Sequence, residues 1–117
     1  LGGYHAGNAR ALKERIAATR HMLDLEPNDS YSIELFSTDN ADPARMERFL
    51  VRARELVPVA QLYIVPIPSG RRYRLQVLFG IFPDRDSAAR GEKRLPPRYQ
   101  RAFQTAPISL KEIRESL

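Results

Sequence analysis

Two segments of the sequence alternate polar and apolar residues, and their polar positions could bind a polar ligand. Carboxylate, amide, hydroxyl and guanidinium groups offer hydrogen-bond donors and acceptors to such a ligand. Aromatic and aliphatic side chains between them can lie against its less polar parts. The candidate binding residues are Ser32, Glu34, Phe36, Ser37, Arg74, Gln76 and Leu78. Strand alternation is expected to turn these residues toward one face of a sheet, apart from Ser37, which lies just past the first predicted strand.

No combination of residues in the sequence indicates catalysis. The chain contains no cysteine, which excludes a disulfide, a zinc–thiolate site and a cysteine nucleophile. The two histidines, His5 and His21, lie in the N-terminal segment and lack the spacing of a metal-binding helix. No glycine-rich phosphate loop is present. We therefore expect a binding protein, not an enzyme, with no catalytic residue, metal or cofactor.

The charge of the chain is compatible with an anionic partner but does not identify one. Lys and Arg number 19 and Asp and Glu number 14, which gives a formal net charge of +5. The densest basic group is Arg71, Arg72 and Arg74. A basic domain can favour nucleic acid, anionic lipid or an anionic polymer. Because acids are interleaved with the basic residues, solvated helix faces account for the charge equally well.

Hydrophobic periodicity and capping residues predict the elements that must position the candidate residues. Helical spacing predicts helices over residues 8–24, 43–57 and 84–95, with Asn8, Asp42 and Asp84 as N-caps. A capping box formed by Ser109 and Glu112 predicts a terminal helix. Period-two patterns predict strands over residues 30–36, 61–67, 72–79 and 101–106.

From Ser30 onward these elements follow the order β-α-β-β-α-β. That order predicts an α+β fold of the split β-α-β type, in which four antiparallel strands carry two helices on one face. Residues 1–29 are interpreted as an N-terminal helical extension and residues 30–117 as the domain with its C-terminal helix. The floor beneath the two helices is expected to consist of Ile33, Leu35, Leu75, Val77 and Phe79. The opposite face is expected to be open unless the flanking helices cover it.

The helix over residues 8–24 is expected to dock, because isolated helices of this length are marginal in water. Leu12, Ile16 and Leu23 are its expected contacts. The sequence leaves open whether it docks on the domain or on a partner.

Two segments resemble the SPOR family of peptidoglycan-binding domains. The first is Tyr31-Ser-Ile-Glu-Leu-Phe-Ser37, and the second is Tyr73-Arg-Leu-Gln-Val-Leu-Phe-Gly-Ile-Phe-Pro83. The resemblance covers about residues 30 to 106 and implies binding to septal or peptide-stripped glycan strands through the open sheet face. Ser37 matches a serine of the family pattern. Glu34 stands where the family has Gln, so it keeps the acceptors but loses the amide donor.

The resemblance also implies a location and leaves alternatives open. Family members usually belong to inner-membrane proteins, so a periplasmic domain is expected, with any membrane contact made through an anchor upstream of this chain. A protein–protein module of a secretion, pilus or division assembly is the first alternative, with the helix over residues 8–24 as its interface. An RNA-binding RRM-like domain is the second. Nucleic acid is not the expected partner, because Tyr73 to Phe79 lacks the RRM motif.

Overall fold

The structure is a computed structural model and describes residues 2–117 of the chain. The helices are α1 (Arg10–Leu25), α2 (Pro43–Ala53), α3 (Arg85–Lys93), α4 (Pro97–Ala102) and α5 (Leu110–Glu115), with a 3₁₀ turn at Val59–Gln61. The strands are β1 (Tyr31–Thr38), β2 (Leu62–Ser69), β3 (Arg72–Phe82) and β4 (Ala106–Ser109).

The four strands form one antiparallel sheet in the order β2-β3-β1-β4. The predicted α+β fold is confirmed, and β1 and β3 are the central pair. Residues Gly70 and Arg71 join β2 to β3, and Gly70 has a φ of +63°, which glycine adopts at little cost. Pro66 lies in β2, a strand at the border of the sheet, where a missing N–H donor is tolerated.

The main hydrophobic core lies between one face of the sheet and helices α2 and α3. Ile33, Leu35, Leu75 and Val77 are fully buried there, opposite Leu50 of α2. This is the face that the sequence predicted to carry the helices. Phe79 packs against the same core as a partly buried residue.

Helix α1 docks on the domain itself and covers the outer edge of β2, which is an edge strand of the sheet. Leu12 and Ile16 belong to the main core, and Leu23 packs against a second cluster. The Thr19 hydroxyl accepts a hydrogen bond from the Ile64 N–H at 2.9 Å and donates to the Arg15 carbonyl at 2.7 Å. Arg15 Nη1 donates to the carbonyls of residues 59, 60 and 62. Backbone groups that would otherwise be unpaired are thereby satisfied.

The first turn of α1 is capped from α2. The N-cap residue is Ala9, which provides no side-chain hydrogen bond, so the prediction that Asn8 caps this helix is wrong. Instead, the Glu47 carboxylate accepts the N–H groups of Ala11 at 3.0 Å and Leu12 at 2.9 Å. A carboxylate at a helix N-terminus also interacts favourably with the helix dipole. The cap therefore fixes α1 against α2.

The other predicted caps are present. Asp42 accepts from the Ala44 N–H at 3.4 Å, Asp84 from the Ser87 N–H at 2.8 Å, and Ser109 from the Glu112 N–H at 3.1 Å. The hydrogen bonds that Asp84 accepts from the backbone and side chain of Ser87 lower the pKa of its carboxyl group.

The strand predicted over residues 101–106 is wrong in position. Helix α4 occupies Pro97–Ala102, and β4 begins only at Ala106. Pro97 starts α4, because proline is well suited to the first helical position.

A second hydrophobic cluster covers part of the opposite sheet face. Leu110 and Ile113 of α5 pack over Val65 and Leu78 of the sheet, together with Met22 of α1. Arg114 holds α5 in place by donating to the Leu23 carbonyl at 2.6 Å, to Asn28 Oδ1 at 2.7 Å and to the Glu26 carbonyl. The opposite face is therefore open only in part, because both flanking helices reach over it.

Candidate binding face

An irregularity in β1 turns one candidate residue away from the expected face. Glu34 is paired with Leu78, but Phe36 is paired with Val77, so the register shifts at this point. A bulge of this kind interrupts the alternation of side chains. Phe36 therefore packs beside the helices, edge-to-face with Phe49 at 5.2 Å between ring centroids. The prediction that Phe36 shares a face with Glu34 is wrong.

Two further candidates lie on or near the expected face but are not accessible. Ser32 is fully buried, and its hydroxyl donates to the Gly80 carbonyl at 2.7 Å. Gly80 has a φ of +76°, so this hydrogen bond satisfies a carbonyl at an irregular position in β3. Leu78 is fully buried in the second cluster. The expectation that Ser32 and Leu78 contact a ligand is therefore corrected: both residues stabilise the fold.

The remaining four candidates come together in one polar patch, which consists of Glu34, Ser37, Arg74 and Gln76. Gln76 Nε2 donates to Glu34 Oε2 at 2.6 Å, and Arg74 Nη2 donates to Ser37 Oγ at 2.6 Å. Ser37 and Gln76 are also register partners in the β1–β3 pair. The patch thus consists of two adjacent hydrogen-bonded pairs across the central strands.

The patch lies where the cover of the second cluster ends. Along β3, exposure is 0% at Leu78, 5% at Gln76 and 48% at the Arg74 side chain. Two apolar positions flank the patch in the register. Ile67 of β2 is paired with Arg74, and Ala106 of β4 is paired with Glu34. A ligand laid across the strands here would meet apolar, cationic, hydroxyl and carboxylate groups in turn.

Asp39 is a member of the site that sequence reasoning did not identify. Arg74 Nε lies 3.0 Å from Asp39 Oδ1, and the Asp39 side chain is 89% exposed. An ion pair this exposed contributes about 0–1 kcal/mol to stability, so its effect is to orient the guanidinium. No local pattern reveals that Arg74, 35 positions later, reaches Asp39.

The hydrogen bonds define what the patch can offer a ligand. Gln76 is itself buried, so within the patch it holds Glu34: one of its two amide N–H groups donates to Glu34 Oε2, and its Oε1 has no partner among residues 2–117. Arg74 has donors beyond the two that contact Ser37 and Asp39, since a guanidinium carries five. The patch can therefore donate from Arg74 and accept at Glu34 and Ser37.

The part of the chain that the structure describes shows no candidate metal site. No group of three or more His, Cys, Asp or Glu side chains is placed to hold a metal ion there. Among the helices within residues 2–117, none combines the length and the apolar character needed to cross a membrane.

Comparison of the sequence with models of known protein families gives no match, and a search of curated proteins gives none either. The resemblance of the two strand segments to SPOR domains therefore stands on the residues quoted above.

Proposed function

We propose that this chain is a binding module for peptidoglycan glycan strands, held across the polar patch. The observation that carries the proposal is the pair of hydrogen bonds linking Glu34 to Gln76 and Arg74 to Ser37 at the uncovered part of the sheet. These contacts fix the side chains before a ligand arrives, which reduces the entropy cost of binding.

The chemistry of the patch suits a glycan. Four strands are about 14 Å wide, enough for several sugar rings laid across them. Arg74 donates to ring and acetamido oxygens, while Glu34 accepts from hydroxyl and acetamido N–H groups. Ile67, half-buried beside Arg74, offers an apolar contact for a ring face.

The placement of the aromatic residues favours a glycan over RNA. RRM-like sheets stack bases on aromatic side chains of their central strands. Here Phe79 and Phe36 pack with the main core, and Tyr73 makes an edge-to-face contact with Tyr4 at 5.5 Å. The aromatic side chains of the two central strands are thus engaged inside the domain.

The proposal includes the setting that the SPOR resemblance implies. The preferred ligand is septal or peptide-stripped glycan, and the domain works in the periplasm as part of a protein anchored in the inner membrane. These statements rest on the resemblance of Tyr31 to Ser37 and of Tyr73 to Pro83 to the family pattern.

The test is a pull-down of the protein with intact and with amidase-treated peptidoglycan sacculi. We expect more protein on the amidase-treated sacculi. Arg74→Ala and Ser37→Ala should each reduce the bound fraction at moderate salt, while amide dispersion in the NMR spectrum stays that of the parent. Arg85→Ala, which removes an exposed arginine at the start of α3, is the matched control and should bind normally.

Two outcomes would overturn the proposal. The first is equal binding of the Arg74→Ala and Arg85→Ala variants, because salt-sensitive attraction between a basic protein and an anionic polymer requires no specific site. The second is chemical-shift mapping with glycan fragments in which the changes spare Glu34 and Gln76.

A further inference from the structure

A groove follows α2 on the helix-bearing side of the sheet, first between α2 and the end of β1 and then between α2 and α4. Ser37 is the one residue of the polar patch that also lines it. Two cavities, of about 350 and 160 Å³, lie on either side of Phe49 and share Phe49 and Arg52 as lining residues. We refer to this feature as the arginine groove and define it by Arg45, Phe49, Arg52, Leu56, Arg98 and Phe103.

The floor of the arginine groove is aromatic. Phe49 contacts Phe36 at 5.2 Å and Tyr99 at 6.3 Å between ring centroids, and Tyr99 contacts Phe103 at 5.2 Å. Phe36, Phe49 and Phe103 are only partly buried, so part of each ring remains accessible from the groove. Aromatic residues and arginine are the types enriched at the centres of protein–protein interfaces.

All charged residues that line the arginine groove are positive. Arg45, Arg52 and Arg98 are exposed and, among residues 2–117, make no ion pair. Neither cavity is lined by an Asp or Glu residue. Rim arginines of this kind call for an acidic partner, because complementary charge steers association and disfavours wrong partners.

Tyr99 adds a polar group at the smaller cavity. Tyr99 is 3% exposed, and its hydroxyl has no hydrogen-bond partner among the described residues. Burial raises the pKa of this hydroxyl, and the nearby charges of Arg98 and Arg52 oppose the shift. The group is therefore protonated at neutral pH and able to donate.

We propose that the arginine groove binds an acidic amphipathic helix of a partner protein. Arg45 and Arg52 are seven positions apart on α2, which corresponds to about 10 Å along a helix. A second helix parallel to α2 presents acidic residues at the same spacing and apolar residues in between. Those apolar side chains enter the two cavities beside Phe49, as in other helix-in-groove complexes.

The probe for the test is a synthetic amphipathic peptide of about 15 residues, long enough to form a helix. It carries two Glu residues seven positions apart with Leu residues between them. Its control has Lys in place of both Glu residues. Amide chemical-shift mapping of the protein should show changes clustered at residues 45–56 and 98–103 with the acidic peptide only.

Charge reversal tests which arginines matter. Arg52→Glu and Arg98→Glu are each expected to weaken binding of the acidic peptide by about tenfold, since juxtaposed like charges are strongly unfavourable. The matched controls are Arg48→Glu on α2 and Arg101→Glu on α4. They change the net charge equally, but these exposed residues do not line either cavity.

The proposal fails if the control variants weaken binding as much as the groove variants. It also fails if the acidic peptide leaves the groove resonances unchanged, or if single-stranded oligouridylate shifts them while the peptide does not. Binding to peptidoglycan through the polar patch is measured with sacculi and not with the peptide. Failure of one proposal can therefore be told apart from failure of the other. Arg52→Glu should retain full binding to sacculi if both are correct.

Discussion

Replacing Thr19 with Val removes the single side-chain hydroxyl that joins α1 to the backbone of β2. Thr19 is fully buried, and its hydroxyl accepts from the Ile64 N–H at 2.9 Å. Val has nearly the same shape, so packing should be preserved. The Ile64 N–H, however, is left beneath α1 without an acceptor.

The magnitude follows from what each substitution removes. A buried donor left unsatisfied costs about 1–3 kcal/mol. Thr19→Ser keeps the hydroxyl and removes one methyl group, which costs about 0.8 kcal/mol in lost burial. We therefore expect the Val variant to be less stable than the parent by about 2 kcal/mol, the middle of that range. It should also be less stable than the Ser variant, although it retains more apolar surface.

The measurement is urea unfolding of the parent and of the two variants, combined with amide hydrogen exchange. Lower stability should appear as a lower midpoint with an unchanged slope. The exchange rate of the Ile64 amide should rise in Thr19→Val and stay close to that of the parent in Thr19→Ser. If Thr19→Val is as stable as Thr19→Ser and the Ile64 amide stays protected, the hydroxyl does not satisfy the Ile64 N–H at the edge of β2 and the reasoning is refuted.

Three further outcomes are expected. Glu34→Gln should leave glycan binding unchanged or strengthen it, because it restores the amide donor of the family pattern, and weaker binding in the sacculus pull-down would contradict this. Leu110→Ala should destabilise the protein by about 2–5 kcal/mol, because Leu110 is fully buried in the second cluster; an unchanged urea midpoint would show that α5 does not depend on this contact. Burial is the largest cause of the raised pKa values of the Tyr4, Tyr63 and Tyr99 hydroxyls. The unfolded chain therefore releases these protons at a lower pH than the folded protein does. The contribution of the three hydroxyls to stability is complete below pH 10 and is lost as pH rises further. Phenolate absorbance should accordingly appear at a higher pH in the folded protein than in the urea-unfolded protein.

Local signals were sufficient to predict β1, β2 and β3 and the helices α1, α2 and α3, but they placed β4 too early in the chain and missed α4. Asp42, Asp84 and Ser109 cap helices as predicted, because a cap depends on residues only a few positions apart. The alternation of β3 correctly placed Leu75 and Val77 toward the helices. The order of elements then restricted the topology to the observed sheet.

The face of each candidate residue was harder to predict, because alternation is lost at the first bulge. The register shift after Glu34 turned Phe36 around, and the φ of +76° at Gly80 accompanies the burial of Ser32. Glycine within an alternating run is a recognisable signal of such an irregularity. Side chains beyond such a glycine should not be assigned to a face by continuing the alternation from before it.

The partial cover of the sheet face opposite α2 and α3 could also have been inferred from the pattern of apolar residues along the strands. Val65, Leu78 and Ile81 put apolar side chains on the supposedly open face, and apolar residues on both faces of a strand indicate burial on both sides. The helix that provides the cover could not be identified from local patterns. Arg114 holds α5 through carbonyl groups 88 and 91 positions earlier in the chain.

The way α1 closes the border of β2 has a consequence for any shortened form of this protein. A chain beginning at Ser30 would keep every strand but would expose the Ile64 N–H and the carbonyls that Arg15 contacts. Unpaired strand borders recruit other chains and promote aggregation. The segment from Ser30 onward would therefore be poorly soluble when produced alone. A protein engineer who wished to transplant it should carry the preceding helix with it or place charged residues along β2.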